Sequence, residues 1–322
     1  MTFKLVSTSP SFGYYAMEPV AYLKQHGCEV ELVPQGKKLN EDELADCAAV
    51  SDAMVVGIEK ITARVIQAGK KLKVIAKHGA GVDNIDMEAA TKNKIVVTSA
   101  PGANSDAVAD MTLGLFLALA RSLPFADRSV KGGGWPRMAG TQMNKKTLGI
   151  IGVGQIGKKV ARRAAGFDMK ILVYDVIKDE EFAAQYGATY LPLEDVIMSS
   201  DFMSIHVPLT ATTRNLISTR EFGLMKKGAY LVNIARGGVV DEAALYEALK
   251  EKKIGGAALD VFVQEPPAGS PLLTLDNFIA TPHMGGYTLE ALNETGMICV
   301  RNIMDVLKGR KPQYLNNPEV FK

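Results

Sequence analysis

Cysteine is scarce in this sequence. Among 322 residues there are three, Cys28, Cys47 and Cys299. Their number is odd, their spacings are wide and no Cys-x-x-Cys pair occurs, so neither a disulfide framework nor a cysteine-rich metal site is expected. Histidine is nearly as rare, with His26, His78, His206 and His283. Neither sign of charge predominates: 37 Lys plus Arg against 35 Asp plus Glu leaves a formal net charge of +2. That balance excludes a polybasic nucleic-acid arm and an acidic solvating tail. Long hydrophobic runs are missing too. The longest, over residues 107–120, is interrupted by Asp110 and falls short of the roughly 20 residues a membrane span needs. The opening Met1-Thr2-Phe3-Lys4-Leu5-Val6 has none of the layout of a signal peptide. A soluble cytoplasmic protein is expected, one that binds neither nucleic acid nor membrane.

What the chain has is an ordinary globular balance, 47% apolar and 22% charged, which excludes disorder. Short apolar, β-branched runs fall at 4–7, 30–33, 54–56, 74–76 and 95–98. A second series falls at 148–151, 171–174, 202–206, 230–233, 257–261 and 278–280. Helical patterns separate most of them. Strands alternating with helices predict parallel sheets joined by right-handed crossovers. Eleven strands are many for one open sheet, so two α/β domains are expected. The segment Ala100-Pro101-Gly102-Ala103-Asn104 breaks the chain. The helix predicted after it, over 105–121, is apolar nearly all round and is expected to be buried between domains or to serve a dimer interface. Lys131-Gly132-Gly133-Gly134-Trp135-Pro136 reads as a flexible surface loop. A second long helix is predicted over 288–307.

One stretch carries a cofactor signature. The strand signal Thr147-Leu148-Gly149-Ile150-Ile151 runs straight into Gly152-Val153-Gly154-Gln155-Ile156-Gly157, then a helical pattern to about 166, a strand over 170–174, and Asp175. This is the strand, GxGxxG, helix, strand, acid order of a dinucleotide fold. Gly152 permits the tight turn, Gly154 lets a pyrophosphate approach the backbone, and Gly157 lets helix and strand pack closely. The helix start at Gln155 and Ile156 offers N–H groups and a positive dipole end to the phosphates. Asp175 can accept hydrogen bonds from a ribose diol and would repel a 2′-phosphate, which favours NAD over NADP. Lys178 lies near it, but no Arg follows the acid.

Reducing a ketone by hydride transfer also needs a proton donor, for which His is suited near neutral pH. His283 sits in Thr281-Pro282-His283-Met284-Gly285-Gly286, Arg236 in Asn233-Ile234-Ala235-Arg236-Gly237-Gly238, and Glu265 in Leu259-Asp260-Val261-Phe262-Val263-Gln264-Glu265-Pro266. All three follow successive predicted strands, at the edge where open α/β sheets bind ligands. Each alone has a plainer reading: a surface cation beside a turn, a solvated loop acid, a satisfied strand-end imidazole. Side by side, next to a dinucleotide fingerprint, they read as a site.

These motifs, with Lys77-His78-Gly79-Ala80-Gly81-Val82-Asp83-Asn84-Ile85-Asp86, resemble the D-isomer-specific 2-hydroxyacid dehydrogenase family, in order and over nearly the whole chain. The resemblance implies two Rossmann-like domains. Residues 101–288 would form a doubly wound NAD-binding domain. Residues 1–100 plus 289–322 would form a smaller, flavodoxin-like substrate-binding domain. It implies that Arg236 binds the substrate carboxylate, which its planar fork matches. It implies that His283 exchanges the carbonyl proton, and that Glu265 fixes the tautomer of His283 and favours its protonated form. Gly79, Ala80 and Gly81 would offer N–H groups to the carboxylate, Asp260 would accept from the nicotinamide carboxamide, and Val207 and Ile234 would line the cofactor groove. Family members are usually dimeric, so a homodimer is expected. The likeness points first to D-3-phosphoglycerate as substrate, with Lys60 or Lys77 as phosphate contacts, although Glu59 would oppose a dianion and the chain stops at Lys322 without a regulatory extension. Hydroxypyruvate or glyoxylate reduction is the alternative, and a non-catalytic NAD-sensing protein the remote one.

Overall fold

The computed structural model describes residues 2–321. The chain divides into two compact units, Met1–Asn104 with Tyr287–Lys322, and Ser105–Gly286. The breaks thus fall a few residues from those read in the sequence.

The first unit starts with β1 (Phe3–Ser7), α1 (Glu18–Gln25), β2 (Cys28–Leu32), α2 (Glu41–Val50), β3 (Ala53–Val56), α3 (Ala63–Ala68), β4 (Val74–Lys77), α4 (Met87–Lys92) and β5 (Val96–Thr98). The strands form one parallel sheet in the order β2-β1-β3-β4-β5, the flavodoxin-like arrangement. β3 and β4 are buried at every position, as a sheet covered on both faces requires. That is why they read as continuous apolar runs rather than alternating ones.

The second unit contains α5 (Ser105–Ala120), α6 (Leu123–Lys131), β6 (Thr147–Ile151), α7 (Gln155–Ala165), β7 (Lys170–Tyr174), α8 (Glu180–Tyr186), β8 (Ala188–Tyr190), α9 (Leu193–Ser199), β9 (Phe202–Ile205), α10 (Thr219–Leu224), β10 (Tyr230–Asn233), α11 (Glu242–Lys250), β11 (Gly256–Leu259) and β12 (Phe278–Ala280). Its sheet is parallel throughout, in the order β12-β11-β10-β9-β6-β7-β8. This is a doubly wound, Rossmann-type sheet, whose order reverses between β6 and β9. The chain then returns to the first unit as α12 (Leu289–Leu307). Thr288 caps that helix by accepting from the Ala291 N–H at 3.2 Å, a role Thr fills well.

One detail differs from the sequence reading. β8 was not foreseen: it is three residues long, lies at the sheet edge, and is half-buried to exposed, too short to show a period. α5 buries ten of its residues, among them Leu113, Leu115, Phe116 and Leu119, and packs on α7, β10 and β11 of its own unit. α6 is the opposite, with no buried residue, and residues 131–140 after it are all exposed. Among the described residues, no single helix is long and apolar enough to cross a membrane.

Candidate active site

The cofactor cradle forms where β6 meets α7. At Gly152 the backbone has φ +96°, and a Cβ there would lie 2.8 Å from the backbone carbonyl of His206. Only glycine combines that conformation with that approach. A Cβ on Gly157 would overlap the Gly152 carbonyl oxygen, whereas one on Gly154 would meet nothing within 4 Å. The space over Gly154 is therefore open at the start of α7, with Gln155 and Ile156 in its first turn. No side chain caps that helix start, no acid lies in its first turn, and Arg162 and Arg163 lie in its last. This arrangement fits a pyrophosphate, which would take up the free N–H groups and the positive dipole end.

Asp175, just past β7, accepts from the Val153 N–H at 2.6 Å and from the Ile177 N–H at 3.1 Å. It ties the glycine loop to the next strand. Beside it, Val176 and Ile177 are 86% and 77% exposed. They form an apolar surface that no sequence motif marks and that suits a flat heterocycle. Val207 is half-buried against Gly152, and Ile234 is buried against Gly285. Both ring nitrogens of His206 are buried without a partner among the described residues. Burial alone pushes this imidazole down to about 3, so it is neutral.

The catalytic candidates follow β10, β11 and β12, three adjacent strands. After β10, the buried side chain of Asn233 accepts from the Ala235 N–H and donates to the Arg236 carbonyl, both at 2.9 Å. This folds the turn that sets Arg236 at the strand edge, and Arg236 Nη1 donates to the Ala235 carbonyl at 2.8 Å. Past β11, Glu265 Oε1 accepts from the Phe262 N–H at 3.1 Å, and Oε2 lies 2.8 Å from His283 Nδ1. Burial works to raise the Glu265 carboxyl. The hydrogen bond with His283, the Phe262 N–H and the charges of His283 and Arg236 outweigh it and hold the carboxyl below its ordinary value. A charged carboxylate only accepts, so the proton sits on Nδ1 and Nε2 is left for chemistry. Leu209, Arg214, Arg236, Gly238, Glu265 and His283 line one cavity of about 340 Å³.

His283 has φ +53°, a left-handed conformation unusual for a non-glycine residue. Asp260 surrounds it with anchors. Its Oδ1 accepts from the Thr281 hydroxyl at 2.6 Å and the Met284 N–H at 2.9 Å, and its Oδ2 from the Gly285 N–H at 2.8 Å. Asp260 is buried. The carboxylate expected to meet a carboxamide thus spends three acceptor sites on the loop carrying His283.

In the first unit, Gly79, Ala80 and Gly81 follow β4, with Ala80 exposed. Lys77 is buried beneath them, donating to the Gly57 carbonyl at 2.5 Å and to Asn84 Oδ1 at 2.9 Å. Lys60 is exposed. Glu59 accepts from the Gly57 N–H at 2.7 Å, and burial raises its carboxyl. His78 is a packed core imidazole. Nδ1 lies 3.1 Å from Ser11 Oγ and 3.3 Å from Ser9 Oγ, Nε2 lies 3.4 Å from the Leu292 carbonyl, and Phe12 meets the ring edge-on. Burial pushes it down to about 4. His26 follows α1, its Nδ1 2.7 Å from the Tyr22 carbonyl. Of the four histidines, His283 alone faces a carboxylate on the cavity wall.

Residues 113–285 match the family model described as D-isomer specific 2-hydroxyacid dehydrogenase, NAD binding domain. The chain is 46% identical over 293 residues to D-3-phosphoglycerate dehydrogenase of Methanocaldococcus jannaschii, covering 90% of this chain but 56% of that protein. It therefore spans little more than half the length of that relative. It is 42% identical over 296 residues to glyoxylate reductase of Korarchaeum cryptofilum, covering 90% of this chain and 88% of that one. The crystal structure of the TT0316 protein from Thermus thermophilus superposes with a TM-score of 0.89 at 34% identity, over 97% of this chain and 99% of that one.

Proposed function

Because the chain belongs to the D-isomer specific 2-hydroxyacid dehydrogenase family, we propose that it is an NAD-dependent oxidoreductase interconverting a small 2-hydroxy acid and its 2-keto acid. D-3-phosphoglycerate is the proposed substrate. The observation that carries the reading is the Glu265–His283 pair at 2.8 Å, lining one cavity with Arg236. In this reading the second unit holds the cofactor, and the first, through Gly79, Ala80 and Gly81, supplies substrate contacts.

NADH, when bound, supplies the hydride that reduces the carbonyl carbon. Arg236 holds the carboxylate through its fork and polarises the carbonyl. His283 gives a proton from Nε2 to the ketone oxygen and takes one from the hydroxyl in the reverse direction. A positioned acid–base group of this kind contributes roughly 10²–10⁴ in rate. Glu265 keeps the ring oriented.

The phosphorylated substrate is supported by the archaeal relative named for it. Glyoxylate or hydroxypyruvate reduction is the second reading, supported by the relative that the chain matches over most of both lengths. The chain is also proposed to act as a homodimer. α6, with Leu123 and Val130 exposed, and the following segment, with Trp135 78% exposed, are its proposed contact rather than α5. Three free thiols suit the reducing cytoplasm proposed as its compartment.

The test follows NADH absorbance with 3-phosphohydroxypyruvate, hydroxypyruvate and glyoxylate at matched concentrations. Preference for the phosphorylated acid is the expected result. Preference for either of the others moves the chain to the second reading. Turnover of none of the three overturns both readings of the substrate.

A further inference from the structure

We propose that Arg214 binds a second anionic group on the substrate, at the carbon remote from the hydroxyl, and so selects 2-hydroxy acids with two acidic ends. This rests on the function proposed above and names the substrate class of the same site.

Arg214 lies in the loop after β9, a segment that carries no recognisable motif. The loop is tightly knit. The Thr210 N–H donates to Thr213 Oγ1 at 2.8 Å, the Thr213 hydroxyl to the Pro208 carbonyl at 2.6 Å, and the Arg214 N–H to the Thr210 carbonyl at 3.0 Å. The Asn215 N–H then reaches the Gly238 carbonyl at 2.8 Å. This last bond fastens the loop to the turn that carries Arg236. Arg214 is therefore presented by an ordered turn rather than a loose surface segment.

The neighbouring glycines explain its reach. A Cβ on Gly237 would overlap the Phe262 carbonyl, and one on Gly238 would lie 3.6 Å from Arg214 Nη1 and 3.6 Å from Leu209 Cδ1. The Arg214 guanidinium thus lies along the bare backbone next to Arg236, and both side chains line the same cavity. One guanidinium suffices for one carboxylate.

The charge balance of the cavity points the same way. Glu265, the acid on its wall, is committed to His283 and to the Phe262 N–H. Among the described residues no carboxylate pairs with the Arg214 guanidinium. Arg214 thus brings a second guanidinium to the cavity that Arg236 lines, and a second guanidinium complements a second anionic group. Phosphate, sulfonate and carboxylate share the oxygen geometry that an Arg fork binds.

The test measures affinity without turnover. NADH-saturated enzyme is titrated by calorimetry with 3-phosphoglycerate, D-malate and D-glycerate, hydroxy acids that reduced cofactor cannot convert. Wild-type protein is expected to bind at least one of the two doubly acidic ligands more than about tenfold tighter than D-glycerate. Arg214→Gln is expected to lose about 10- to 100-fold for that ligand. Its affinities for D-glycerate and NADH should hold within about twofold, and Arg214→Lys should recover part of the loss. Which doubly acidic ligand binds tighter identifies the anion. No preference in the wild type, equal losses for all three acids, or weakened NADH binding overturns the proposal, the last assigning Arg214 to the cofactor. Because no step needs turnover, a failure of the proposed reaction in the absorbance assay is read separately.

Discussion

The buried carboxylate of Asp260 accepts a 2.8 Å hydrogen bond from the N–H of Gly285, two residues past His283. With its bonds to Thr281 and Met284, it brackets His283 on both sides. A left-handed histidine persists where its surroundings over-determine it, and this ring of donors does so. These three bonds give Asp260 a part in holding the loop that carries His283.

Asp260→Asn replaces one acceptor with an NH₂ facing a donor. It should destabilise the cofactor-free protein by about 2–3 kcal/mol, read as a lower unfolding midpoint in urea. If the residue serves only the carboxamide, that midpoint stays in place and only NADH affinity falls.

His283→Ala should lower turnover by roughly 10²–10⁴ while NADH affinity, measured by fluorescence, is retained. Glu265→Gln removes the charge beside the ring and should lower kcat with little change in NADH binding. Arg236→Ala should raise KM as well as lower kcat. Normal kinetics in any one of these variants removes that residue from the site.

Two neighbouring glycines should separate cleanly. A Cβ on Gly154 would meet nothing within 4 Å beyond its neighbours along the chain, so Gly154→Ala should lose at most about 1 kcal/mol, at the helix cap, while NADH affinity falls at least about tenfold. Gly157→Ala collides with the Gly152 carbonyl and should lose stability and NADH affinity together. Equal stability in the two variants contradicts the packing described.

Asp175→Ala should narrow the preference for NAD over NADP, measured as the ratio of kcat/KM values. An unchanged ratio would place the selectivity elsewhere on the cradle.

Acid should weaken the fold through its buried imidazoles. Burial lowers His78 to about 4 and His206 to about 3, from an ordinary 6.5. The unfolded chain then binds more protons below pH 6.5, so stability is full above that pH and falls as pH drops from 6.5 toward 4. For His78 the loss by pH 5 is about 2 kcal/mol. Urea unfolding at pH 7 and pH 5 should show it, and His78→Gln should remove about half of the difference, His206 supplying the rest. An undiminished difference in the variant assigns the effect to other groups.

How much of this was legible beforehand depended on the range of the interaction. The strand runs, the glycine fingerprint and the helix ahead of Leu307 are local. A parallel sheet covered on both faces demands unbroken apolar segments, and a tight phosphate turn demands glycines at fixed spacing. β8 escaped because three half-exposed residues carry no period. The sequence by itself therefore determined two α/β units, a dinucleotide cradle at Gly152–Gly157, and the order in which Arg236, Glu265 and His283 leave their strands. Only the tertiary structure decided what each polar side chain does there. Asp260 is bound by donors 21 to 25 positions away, His78 by a carbonyl 214 positions away, and Lys77 by a carbonyl 20 positions back. A charged or polar group takes whichever partner the folded backbone brings within about 3 Å, and that distance is set by packing rather than by spacing along the chain.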